Sequence, residues 1–212
     1  MKQNEAIDSL REIKDLMDKS SRFRSISGPS IIIIGLYATL VSLAAWVLWG
    51  SHETYEWLPS WCRNFSINSP YRTTIAILAS IVLALVSALT VFLMSIAKAK
   101  RNDPGFSFNA IARRPMLHFM VPALAGGLLC LALFMQGHYG LTSSMMLVFY
   151  GLALVNCHHY TTSKLALLGY CELILGIIDC FVVSHAILFW FLGFGVLHIM
   201  FGAYLTIKNP RQ

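Results

Sequence analysis

The chain has 212 residues, 57% of them apolar or aromatic and 12% charged, with a net charge of +6 and a mean hydropathy of +0.64. Globular proteins carry about a quarter charged residues, so this composition excludes a soluble enzyme or nucleic-acid-binding domain and makes lipid the main solvent. The positive charge then marks cytoplasmic segments of a membrane protein, not contact with DNA or RNA.

In the first segment, Ile7, Leu10, Ile13, Leu16 and Met17 recur at spacings of three and four, with Lys14, Asp15, Asp18 and Lys19 on other faces. This pattern predicts an amphipathic cytoplasmic helix within residues 1–27. It is read either as lying on the headgroups or as docking a partner through residues 1–26. No apolar run precedes residue 28, so no cleaved leader is expected and the first span serves as the anchor.

Six apolar stretches follow, over Ser30–Trp49, Thr73–Ala97, Pro115–Met135, Leu141–Cys157, Leu165–Ser184 and Ala186–Ile207. Each is near the 17–25 residues that cross a hydrocarbon layer of about 30 Å, and in lipid such runs must be helices. Between the first two, residues 51–72 hold Tyr55, Trp57, Trp61, Phe65 and Tyr71, an expected interfacial aromatic belt. Asn64-Phe65-Ser66 there matches the glycosylation sequon, a pattern that arises often by chance.

Basic residues sort the connections. Of the 16 Lys and Arg residues, 14 fall before span one, between spans two and three, between four and five, or after six; only Arg63 and Arg72 lie on the other side. The positive-inside rule therefore places both termini in the cytoplasm. Cys130, Cys157, Cys171 and Cys180 lie within apolar spans and Cys62 in a loop, with no CxxC pair, so they read as small packing residues.

Three segments share a glycine pair seven residues apart: Gly28 and Gly35, Gly169 and Gly176, Gly195 and Gly202. Seven residues is close to two helical turns, so each pair presents one face to a neighbouring helix. Gly151 aligns with Gly195, and His158 stands where the second glycine would fall. The predicted fold is an all-α polytopic bundle of six transmembrane helices in three hairpins (28–97, 115–157 and 163–207). The amphipathic helix precedes it and a cytoplasmic tail, 208–212, follows.

Gly169-Tyr-Cys-Glu-Leu-Ile-Leu-Gly-Ile-Ile, a short turn, and Phe189-Trp-Phe-Leu-Gly-Phe-Gly-Val-Leu-His-Ile-Met-Phe-Gly resemble the paired-helix repeat of HdeD-type acid-resistance membrane proteins. Together with Leu10-Arg-Glu-Ile-Lys and Ser20-Ser-Arg-Phe-Arg-Ser-Ile-Ser-Gly28, they are more similar still to an uncharacterised group of bacterial six-span inner-membrane proteins. The similarity covers about the first 35 residues and the last 65. It implies a bacterial inner-membrane protein of stress-related or unknown role, and it carries no catalytic residues.

Glu172 and Asp179 are the acidic residues inside apolar spans, seven apart on one face of span five. Ionisable groups at membrane depth cost several kcal/mol unless paired or neutralised, so each is a candidate functional residue. His198 falls near the middle of span six, at a depth matching Glu172, and His185 is positioned to meet Asp179 near the outer surface. These contacts read either as interhelical glue or as a proton-sensitive pair. Asn156, His158 and His159 close span four, where adjacent histidines on a helix point about 100° apart and suit a shared metal poorly.

No GxSxG, HExxH, Walker or Rossmann pattern is present, so no enzyme activity and no cofactor are expected. The expected function is a non-enzymatic membrane protein acting by interaction or in a stress response. A small oligomeric channel or proton-linked transporter using Glu172, Asp179 and His198 is the second reading. A metal- or haem-binding membrane protein using the histidines is the third. The bilayer, a second copy of the chain and a cytoplasmic protein are the expected partners; nucleic acid is not.

Overall fold

The computed structural model describes residues 28–49, 72–102, 113–161, 164–182 and 185–208. The helix expected within 1–27, its partner-docking face, the aromatic loop with Asn64, and the tail after Lys208 lie outside the described residues.

Every regular element among the described residues is helical. Helix α1 spans Gly28–Trp49, α2 Arg72–Asn102, α3 Arg113–Met135 and α4 Tyr139–Cys157, which ends in a 3-10 turn at His158–Tyr160. Helix α5 spans Leu165–Phe181, and α6 runs over Ala186–Lys208. The α6 helix is α-helical at both ends and a π-helix through Phe191–Leu197.

Five of these helices are long and apolar enough to cross a membrane: α1, α2, α3, α4 and α6. The exception, α5, has 17 residues, giving it a length of about 26 Å. It is also the helix that holds both carboxylates. The outward faces are apolar, with Leu85 65% and Leu128 69% exposed, and α2 and α3 have few buried residues. So much contiguous exposed Leu, Val and Ile is the surface of a protein solvated by lipid.

A Schellman turn joins α3 to α4. Gly137 takes φ +81°, its N–H donates to Phe134 O at 3.0 Å, and the His138 N–H donates to Leu133 O at 2.9 Å. These two helices pack on one another. The closest packing elsewhere departs from the three-hairpin scheme: α4 lies most extensively on α5, and α1 lies on α6. Contacts of α1 with α2 are sparser.

The glycine pairs account for this arrangement. An added Cβ at Gly202 would stand 2.8 Å from Gly28 O, and one at Gly35 would stand 3.0 Å from Gly195 O. Helices α1 and α6 therefore meet backbone to backbone along two turns. On the other pairing, a Cβ at Gly169 would lie 2.8 Å from Gly151 O, and one at Gly176 would lie 2.9 Å from Leu147 Cβ. The repeat does mark helix contacts, but it joins α1 to α6 and α4 to α5. Where α1 begins and α6 ends, Ile31, Leu154, Leu165, Leu168, Phe201 and Leu205 form a buried apolar cluster.

Candidate functional site

The three helices α4, α5 and α6 enclose two polar centres. Glu172 and Asp179 have no exposed surface, and His198 is 1% exposed. On α5 the order Glu172, Gly176, Asp179 has spacings of four and three, which puts all three on one face. On α4, Ser143, Leu147 and Tyr150 show the same spacings in reverse order of depth. Each centre thus takes one α5 carboxyl and one α4 hydroxyl.

In the first centre, His198 Nδ1 lies 3.3 Å from Glu172 Oε1 and 3.1 Å from Gly193 O, while Nε2 lies 2.8 Å from Tyr150 Oη. Residues five apart lie on different sides of an α-helix, since each step turns 100°. The π turn, with its i→i+5 geometry, aligns His198 with Gly193. The depth match of Glu172 and His198 inferred from the sequence is therefore realised in space. Tyr150, Gly193 and the π segment are additions that the sequence reading does not contain.

Proton accounting defines the chemistry. An Nδ1–H donating to Gly193 O leaves Nε2 to accept the Tyr150 hydroxyl hydrogen, and the imidazole is then neutral. A second proton on the ring turns Nε2 into a donor, which Tyr150 Oη accepts after its hydroxyl rotates. Each ring nitrogen of His198 therefore faces an oxygen that can accept from it, Gly193 O at Nδ1 and Tyr150 Oη at Nε2. Glu172 is the incomplete member, because neither carboxyl oxygen receives a hydrogen bond among the described residues. A charge buried here loses its hydration, and a charged neighbour repays that cost only in part.

In the second centre, Ser143 Oγ lies 2.6 Å from Asp179 Oδ2 and 3.1 Å from Ala186 O. Ser143, not His185, meets Asp179; His185 is exposed at the start of α6. The expected Asp179–His185 contact is replaced because α4 reaches this level and offers a hydroxyl there. Leu147, with no exposure, fills the space over Gly176 and separates the two centres.

The remaining candidates lie elsewhere. Pro122 interrupts α3 and cannot donate to the carbonyl four residues before it, that of His118. Asn156 Nδ2 supplies the missing hydrogen at 2.8 Å, so Asn156 repairs a helix. The His118 ring stacks on Tyr160 at 4.7 Å. His158 and His159, expected to point apart, fall in the 3-10 turn with ring centroids 3.9 Å apart. Among the described residues no three His, Cys, Asp or Glu side chains gather as a metal site.

Comparisons with family models, curated proteins and solved structures give no match. The functional reading therefore rests on this geometry.

Proposed function

We propose that the chain is a non-enzymatic integral protein of the bacterial inner membrane, with six spans and both termini in the cytoplasm, whose Glu172–His198–Tyr150 centre binds and releases a proton. The observation that carries this reading is the Glu172 carboxyl, fully buried, 3.3 Å from an imidazole and without a hydrogen-bond donor among the described residues. A proton gained or lost at this pair would alter the contact between α5 and α6. Such a response fits a stress-related role. The sixth span in this reading is α5, held between α4 and α6.

The test is infrared difference spectroscopy on the reconstituted chain between acidic and alkaline pH. A carboxyl band that changes with pH and disappears in Glu172→Gln supports the reading. A spectrum identical in wild type and Glu172→Gln overturns it. A continuous conducting path is a weaker reading, because Leu147 blocks the apolar gap between the two carboxyls.

A further inference from the structure

We infer that Asp179 is a second proton-binding site, occupied in this structure, which acts with Ser143 as a proton-dependent latch between α4, α5 and the start of α6. The argument does not depend on Glu172. A serine hydroxyl has one hydrogen, yet Ser143 Oγ lies within hydrogen-bond distance of two oxygens, Asp179 Oδ2 at 2.6 Å and Ala186 O at 3.1 Å. With Asp179 ionised, both partners are acceptors and only one can be served. With a proton on Oδ2, the chain closes: the carboxyl O–H donates to Ser143, and the Ser143 O–H donates to the Ala186 carbonyl.

The other carboxyl oxygen points the same way. Asp179 Oδ1 is buried and receives no hydrogen bond among the described residues. A carbonyl oxygen of a neutral acid tolerates this far better than half of a carboxylate. The described groups around Asp179 give it no counter-charge. From α4 it meets Ser143, which also reaches the Ala186 carbonyl of α6, and the exposed His185 stands at that helix's start. On α5 itself the neighbouring ionisable groups are Cys180 and, two turns away, Glu172.

Loss of the proton changes the connectivity. The carboxylate claims the Ser143 hydrogen, and the Ala186 carbonyl loses its link to α4. Three helices are tied in the loaded state and two in the unloaded one. Leu147 keeps this proton apart from the one at Glu172.

The experiment uses the full chain in lipid vesicles, in a Glu172→Gln background so that one intramembrane carboxyl remains. A protonated-carboxyl stretching band at neutral pH, absent from Glu172→Gln/Asp179→Asn, is expected; absence of the band in the Glu172→Gln chain overturns the proposal. Thermal unfolding gives the second reading. Asp179→Asn replaces the carboxyl O–H with an amide N–H, so its Tm at neutral pH should match wild type, while Ser143→Ala lowers Tm. A fall in Asp179→Asn equal to that in Ser143→Ala overturns the latch.

Discussion

The carboxyl of Glu172 occupies the space that a side chain at position 193 would need: a Cβ built on Gly193 would stand 2.7 Å from Glu172 Oε2 and would also run into Leu147. The glycine is therefore part of the polar centre, although it brings no polar side chain. Gly193→Ala should displace the carboxyl from His198 and cost about 1–3 kcal/mol through overpacking. Gly127→Ala is the matched control, since nothing lies within 4 Å of its added Cβ. Thermal unfolding of both variants in detergent checks this; equal Tm values would remove Gly193 from the site.

Tyr150→Phe keeps the ring and its contacts with Phe119 and Phe194 but removes the hydroxyl 2.8 Å from His198 Nε2. A buried ring nitrogen is then left without a partner, at a cost of about 1–3 kcal/mol. The expected companion effect is on protonation: without Oη as acceptor, the doubly protonated imidazole loses its second partner. The pH-dependent carboxyl band proposed for Glu172 should shrink in Tyr150→Phe. An unchanged amplitude together with unchanged stability would show that the hydroxyl is idle.

How far the sequence reaches is clearest at these same residues. Counting inward from the ends of two antiparallel spans suffices to match Glu172 with His198, because helical rise is regular. Tyr150 and Ser143 escape notice because a tyrosine or serine in an apolar span is ordinarily packing or bonds its own backbone. The π turn is invisible, since Phe191 to Leu197 is apolar in any helical form. The glycine pairs announce contact faces but not partners, so α1 on α6 emerges only in three dimensions. Chain proximity alone pairs His185 with Asp179 across a turn, but Ser143 reaches that carboxyl from α4, a helix distant in sequence.

Asn156 and Pro122 make a separable pair. The carbonyl of His118, left without an intrahelical donor by Pro122, accepts from Asn156 Nδ2 at 2.8 Å. Asn156→Ala should cost about 1 kcal/mol, the net worth of a typical hydrogen bond. The same change in a Pro122→Ala background should cost less, because that substitution restores a backbone N–H that serves the carbonyl. A double-mutant cycle of unfolding free energies measures the difference. Equal costs in the two backgrounds would leave the contact without energetic meaning.

Leu147 is the apolar wall between the two polar centres. It has no exposure, its Cβ lies 2.9 Å from where a Gly176 side chain would begin, and on α4 it stands between Ser143 and Tyr150. Leu147→Ala removes most of that wall, at a cost of about 2–5 kcal/mol for a buried leucine. The cavity would not be lined by apolar groups alone: Ser143 and Asp179 border it at one end, Glu172 at the other. Such a cavity can hold water, unlike a purely apolar one. Water there would connect the carboxyls, which lie about 10 Å apart along α5. Vesicles carrying Leu147→Ala and a lumenal pH dye should therefore acidify faster than wild-type vesicles, and Asp179→Asn should reverse the gain. A folded Leu147→Ala protein with wild-type proton permeability would show that the centres stay insulated by more than this one side chain.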